Sequence, residues 1–212
     1  MMKGMYFDNV HSFEHLNLVL SNVDIPPAEV KTNYIDIPGG DGSVDLTEAL
    51  GEVKFKDREC AFTFTVFPHE DFEEKKKYIS NILNGTRCKM ILDKDPKYYW
   101  EGRCFINEYA SDRNLHQIVV KAIVAPYKLK VAETVVTLQA GQSVRAVLVN
   151  GRKTTVPTIT NSHDVTIVFE GNTYTLNPGT HQVPDIELKF GDNPITITSE
   201  GSLKFTYQEG DL

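Results

Sequence analysis

The chain predicts a mainly β protein of two successive domains, the first β-sandwich-like and carrying a single α-helix. Three observations say so. Long stretches alternate with period two, as in "CAFTFTVF" (60–67). One segment only, residues 69–85, carries apolar residues at helical spacing. Near residue 130 the texture changes to short strands and turns with no helical pattern. With 212 residues, there is chain enough for two small cores.

In chain order, Tyr34-Ile35-Asp36-Ile37 is strand-like and runs into the glycine-rich and acidic "IPGGDGSVDLTEALG" (37–51). In "CAFTFTVF", Cys60, Phe62, Phe64 and Val66 share one face, with Ala61, Thr63 and Thr65 on the other. The helix over 69–85 places Phe72, Ile79, Ile82 and Leu83 on one face. Pro68 precedes it, Glu70 and Asp71 suit its positive end, and Gly85 is a natural left-handed stop. Asp71–Lys75 and Glu73–Lys77 are i,i+4 pairs, and Lys75, Lys76 and Lys77 read as a solvated helix face.

"RCKMILD" (87–93), "YYWEGRCFINEYA" (98–110) and "LHQIVVKAIVAPYKL" (115–129) alternate again, with "DKDP" and "SDRN" as turns, and form an antiparallel meander. "PYKLK" (126–130) reads as the connection between a domain of residues 1–129 and a second of 130–212. The second offers "TVVTL", "SVRAVLV", "TVPTIT", "DVTIVF", "NTYTL", "IELKF", "ITITS" and "SLKFTY". Asn150-Gly151, Gly171-Asn172, Asn177-Pro178-Gly179, Gly191-Asp192 and Glu200-Gly201 separate them. Short strands at this spacing predict a β-sandwich.

Hydrophobic content of 41% and charged content of 24% are ordinary for a globular protein. A net charge of -7 and a pI of about 5.4 speak against gripping nucleic acid or anionic lipid. Lys3 is the only early basic residue and no apolar run follows it, so no signal peptide is expected. The longest early apolar stretch, 16–20, falls far short of the ~20 residues a membrane span needs. Cys60, Cys88 and Cys104 form no CxxC pair and read as buried, reduced thiols.

Chemistry is hard to place. His11 and His15 are spaced i,i+4, but "HSFEHLNLVL" is not helical in pattern and HExxH is absent, so no metal is expected. There is no GxSxG elbow, no marked nucleophilic cysteine and no singled-out carboxylate pair, so neither an enzyme nor a cofactor site is expected.

Residues 37–51 fail as a phosphate loop, since no Lys-Ser/Thr follows the glycines. They come nearer a calcium loop: Asp41, Ser43 and Asp45 alternate and Glu52 stands twelfth. But Leu46 holds the position where the EF-hand turn needs glycine. The plain reading is a polar surface turn. The second domain suggests a carbohydrate-binding or adhesion module, but it has no Trp. Its Phe169, Tyr174, Phe190, Phe205 and Tyr207 sit in alternating stretches that core packing explains. Trp100, the single tryptophan, reads as structural.

The order of features says more. "FDNVHSFEHLNLVL", then "IPGGDGSVDLTEALG", "KDRECAFTFTV", one helix ending in "LNG", "DPKYYWEGRC" and a closing "NPITITSEGSLKFTYQEGDL" resemble the distal tail proteins of siphophages over the whole chain. Asn17 departs from the pattern, where glycine is expected before Leu18.

The resemblance implies a structural protein of the virion, made in the bacterial cytoplasm. Its first domain would close into a hexameric ring between the tail tube protein and the baseplate hub or tail-associated protein. Its second would be a galectin-like or carbohydrate-binding-module-like sandwich that projects outward and carries receptor-binding proteins in some phages. It also implies an extended arm reaching a neighbouring protomer. Residues 38–56 are the candidate: Pro38, Gly39, Gly40, Asp41 and Gly42 let the chain leave its domain, and Val44, Leu46 and Leu50 pack on the neighbour. The negative charge suits a lumen through which DNA slides.

Overall fold

The computed structural model describes residues 4–49, 51–67, 71–112, 115–139 and 143–212. The chain divides into two compact units, Met1–Pro126 and Tyr127–Leu212.

The first unit contains β1 (Met5–Phe7), β2 (Val10–His11), β3 (Leu18–Asp24), β4 (Tyr34–Asp36), β5 (Ser43–Asp45) and β6 (Arg58–Val66). These are followed by α1 (Phe72–Leu83), β7 (Arg87–Leu92), β8 (Tyr98–Asp112) and β9 (Leu115–Val124). One antiparallel sheet runs in the order β2-β1-β7-β8-β9-β6-β3, so the meander is β7-β8-β9. Alternation in β6 does what the sequence predicts: Cys60, Phe62, Phe64 and Val66 are fully buried. Phe62 stands opposite Val120 and Phe64 opposite Ile118, both also fully buried.

Phe7 of β1 and Phe64 of β6 have ring centroids 6.0 Å apart. Three strands separate β1 from β6 in the sheet order, a distance of about 19 Å in a flat sheet at ~4.8 Å per strand. The sheet therefore curls over its own inner face. α1 adds Ile79 and Leu83 to the core cluster, and Phe72 and Ile82 pack against it.

The helix is shorter than the sequence predicts. Asp71 is its N-cap, and the Asp71 carboxylate accepts the Glu74 N–H at 3.0 Å. Pro68, His69 and Glu70 lie outside the described residues. At the other end Gly85 has φ +81°, and its N–H donates to the Cys104 carbonyl at 2.8 Å. The lysines do more than face solvent. Lys76 pairs with Glu73, and Lys75 Nζ donates to the Leu16 carbonyl at 2.8 Å, fastening the helix to the turn before β3. Asn17, in that turn, has φ +53°, so asparagine fills the left-handed position expected of glycine. The Leu18 N–H closes the turn on the Ser12 carbonyl at 2.8 Å.

The second unit contains β10 (Lys128–Lys130), β11 (Thr134–Gln139), β12 (Val144–Asn150), β13 (Thr158–Asn161) and β14 (Val165–Phe169). Then come β15 (Asn172–Leu176), β16 (Gly179–Gln182), β17 (Gly191–Ser199), β18 (Ser202–Tyr207) and β19 (Gly210–Asp211). Two four-stranded sheets, β11-β18-β13-β16 and β12-β17-β14-β15, enclose one core that includes Leu148, Ile167, Ile197 and Phe205. This is the β-sandwich. The Tyr207 hydroxyl donates to the Val149 carbonyl at 2.7 Å and ties one sheet to the other.

Three readings need correction. The "PYKLK" segment is not a bare connection: Lys128–Lys130 form β10, which pairs with the chain end at β19. "IELKF" forms only a single bridge, Thr155 to Leu188. Its alternation records the burial of Ile186 and Leu188 rather than a strand ladder. Gly179, read as the end of the Asn177-Pro178-Gly179 turn, instead opens strand β16 (Gly179–Gln182), paired with β13. The two closing strands lie in opposite sheets, joined at Glu200-Gly201. A Cβ on Gly201 would stand 2.2 Å from His163 Nδ1, so a larger residue at that corner must displace the His163 and Ser162 side chains.

Candidate functional site

Residues 25–57, between β3 and β6, form an excursion from the sheet. Two strands that are neighbours in the sheet could be joined by a short turn, yet here the chain runs out and returns. Its stem is a ladder: Lys31 N–H donates to the Lys54 carbonyl and Lys56 N–H to the Glu29 carbonyl, both at 2.8 Å. Val30 bridges Phe55 between them, and Lys56 pairs with Glu29 at 3.0 Å.

Beyond the stem, β4 and β5 make a hairpin with register Tyr34 to Asp45, Ile35 to Val44 and Asp36 to Ser43. Residues 37–42 form its tip. Gly39 and Gly42 have φ of +80° and +76°, and Gly40 N–H closes the tip on the Ile37 carbonyl. The Thr47 hydroxyl and N–H hold the exposed Asp45 carboxyl below the usual carboxylate range, with a contribution from Tyr34.

The hairpin is amphipathic yet has no core of its own. Ile35 and Val44 are cross-strand partners on one face, and alternation puts Ile37 and Leu46 on the same side. Ile35 and Ile37 are each 52% exposed, Val44 43% and Tyr34 58%, while Leu46 is half-buried. Of the residues singled out in sequence, Pro38, Gly39, Gly40, Asp41 and Gly42 are the tip, and Val44 lies in β5. Leu50 lies outside the described residues. Sequence reasoning missed Tyr34, Ile35 and Ile37 as part of the exposed surface. The signal was present as alternation, but alternation alone does not say whether a face is covered.

The calcium-like spacing does not close around a point. Ser43 and Asp45 sit along an extended strand, about 6.6 Å apart at ~3.3 Å per residue, and the Thr47 N–H already takes an Asp45 oxygen at 2.9 Å. Among the described residues no group of three or more His, Cys, Asp or Glu is placed to hold a metal.

The histidine pair is also spoken for. Buried His11 accepts the Glu14 N–H on Nδ1 at 3.0 Å, and its Nε2 faces Asp93 at 3.1 Å. The His15 ring accepts the His11 N–H. Both ring nitrogens of His11 serve the fold around β1 and β2.

Cys60, Cys88 and Cys104 are buried and free, with the Cys88 and Cys104 sulfurs 3.2 Å apart. Burial pushes the Cys60 thiol up to about 11. The hydrogen bond with Cys88, followed by burial, pushes Cys104 up as well. Thiols held neutral are poor nucleophiles.

In the second unit Phe169, Phe205 and Tyr207 are core residues, as expected. Phe190 is not: it is 67% exposed beside the Arg152 guanidinium. Tyr174, half-buried, lines an open polar groove of about 640 Å³ with Glu170, Asp185, Glu187 and Lys189. No helix among the described residues is long and apolar enough to cross a membrane.

The architecture is a curled antiparallel sheet with one helix and a protruding hairpin, followed by a β-sandwich. The whole chain matches the crystal structure of SPP1 Dit (gp 19.1), described as a paradigm of the hub adsorption apparatus in phages infecting Gram-positive bacteria. The TM-score is 0.71 and the identity 15%, with 100% of both chains covered. A de novo designed double-stranded β-helix aligns with 37% of this chain and 99% of its own at 22% identity, but its TM-score of 0.26 carries no likeness of fold. No family model and no curated protein matches the sequence.

Proposed function

We propose that this chain is a distal tail protein of a siphophage tail tip. The first unit closes into a hexameric ring that joins the tail tube protein to the baseplate hub or tail-associated protein. The second unit projects from the ring as a platform for receptor-binding components. The role is structural, with no bond made or broken. The observation that carries the reading is the agreement in fold with a tail hub protein over the full length of both chains.

The hairpin supports it. A closed ring uses heterologous interfaces, in which one patch meets a different patch on the next copy. A protruding β-hairpin with exposed Ile35, Ile37 and Val44 is such a patch, and it reaches a neighbour without moving its own domain. The net charge of -7 suits a wall along which DNA slides.

The test is the mass of the purified protein over a concentration series, by light scattering or native mass spectrometry. Assembly with the tube and hub proteins is scored in parallel by negative-stain imaging. Rings of the intact chain that vanish on deletion of residues 39–50, with both units still folded, are the expected result. Rings that survive the deletion remove the arm. A chain that stays monomeric with both partners present removes the ring.

A further inference from the structure

The Arg58 side chain sits where the excursion leaves and re-enters the sheet. It is 6% exposed, at the first position of β6. Its Nη1 donates to the Pro26 carbonyl at 3.1 Å and its Nη2 to the Pro126 carbonyl at 2.6 Å. The guanidinium lies 4.9 Å from the ring centroid of Trp100 on β8. Burial lowers its pKa, and its Nε finds no acceptor among the described residues. A buried cation with no carboxylate bound to it among the described residues is a costly way to begin a strand, so its placement calls for a reason.

The outgoing leg supplies one. β3 ends at Asp24, and Pro26 and Pro27 have no N–H to extend its ladder. From there to the Glu29–Lys56 stem the leg cannot be held as a sheet strand on its donor side. The Pro26 carbonyl is held by Arg58 instead. Arg58 itself belongs to the returning leg and is paired with Val124. One guanidinium thus joins the outgoing leg, the returning leg and the segment after β9, with its carbon over the Trp100 ring.

We propose that Arg58 is a positioning residue for the arm, setting the direction in which residues 25–57 leave the sheet. The role rests on reading that excursion as an assembly arm. Arginine suits it because a planar fork reaches two carbonyls at once while its charge lies over the indole; lysine offers a point charge and no fork.

The test is native-state amide hydrogen exchange on the full-length chain, with Arg58→Met and Arg58→Lys. It reads the stem amides of Lys31 and Lys56 against the core amides of Phe64 and Val120. The expected result for Arg58→Met is exchange at least tenfold faster at Lys31 and Lys56, with Phe64 and Val120 unchanged. Arg58→Lys gives a smaller change at the same two amides and serves alone should Arg58→Met not fold. Stem amides that do not change, or that change by the same factor as the core, overturn the proposal. The exchange needs no assembly, so it stands apart from the ring test: a chain that forms no ring can still show Arg58 holding the stem.

Discussion

Ile35 and Val44 face each other across the β4–β5 hairpin, and both stand in solvent, 52% and 43% exposed. A cross-strand aliphatic pair is the contact that holds two strands to a core, yet no core lies beneath this one. Replacing the pair with lysine and aspartate therefore removes nothing that the unit itself needs, and opposite charges face each other across the strands. The double variant I35K/V44D is expected to unfold within about 0.5 kcal/mol of the parent, as surface changes do. It is expected to lose assembly, since two charges would enter a covered apolar contact. Thermal unfolding and native mass, measured on one preparation, decide the matter. Loss of stability without loss of assembly would place the hairpin inside its own domain.

Asn17 carries a second prediction. Its φ of +53° lies in the left-handed region, which a β-branched side chain enters at a cost of roughly 1–2 kcal/mol. Asn17→Val is expected to destabilise the first unit by about that amount, and Asn17→Gly to stay within ~1 kcal/mol of the parent. Urea unfolding of the two variants reads the difference. Equal losses would mean that the asparagine side chain, not the backbone angle, holds the turn before β3.

How much of this was legible in the sequence varies by element. β6 to β9 were plain, because half-buried strands must alternate and Cys60, Phe62, Phe64 and Val66 do. β16 was hidden: Gly179, Thr180, His181 and Gln182 carry no apolar alternation, and pairing with β13 alone makes them a strand. "IELKF" misled for the opposite reason. Ile186 and Leu188 alternate because both are fully buried, but the rhythm breaks at Phe190, which stands in solvent. In the candidate site, the glycines announced a turn, but the uncovered face of Ile35 and Ile37 depends on what is absent beneath it. Arg58 gave no signal at all, since a charged residue at a strand start ordinarily faces water.

Cys60 links the core to pH. Burial raises its thiol from 9.0 to about 11 in the folded chain. Between those values the unfolded chain loses a proton that the folded chain keeps, so stability falls as pH rises. The contribution is fully present below about pH 9 and is lost on the way to 11, with a ceiling of roughly 2.7 kcal/mol at ~1.36 kcal/mol per pH unit. Cys60→Ala is expected to lower stability at pH 7 by leaving a small void, yet to flatten the decline between pH 9 and 10.5. Denaturant midpoints across that range measure both effects. Parallel curves for parent and variant would assign the alkaline loss to other groups, including Tyr207, whose hydroxyl burial also pushes up.

Asn193 supports the strongest prediction for the second unit. It is 5% exposed on β17, and its amide is used on both sides. The side-chain oxygen accepts the Lys189 N–H at 2.8 Å. The nitrogen lies 3.1 Å from the Leu148 carbonyl, 2.9 Å from that of Lys189 and 3.0 Å from that of Gly191. Asn193 thereby folds residues 189–191 back onto β12 and closes that end of the sandwich. Aspartate has the same shape but turns the donor into an acceptor. Asn193→Asp then sets a carboxylate oxygen against three carbonyls, a loss of about 3 kcal/mol or more at pH 7. Protonation restores one donor, so the carboxyl pKa in the folded variant is raised above its unfolded value of ~3.9. The deficit relative to the parent is therefore smallest below that value and grows as pH rises. Asn193→Ala removes these four hydrogen bonds at every pH and adds no titrating group, so its deficit is flat. Unfolding free energies of parent, Asn193→Asp and Asn193→Ala at pH 4 and pH 7 separate the two shapes. A deficit for Asn193→Asp that does not change with pH would mean that the 189–191 corner opens and lets water reach the carboxylate.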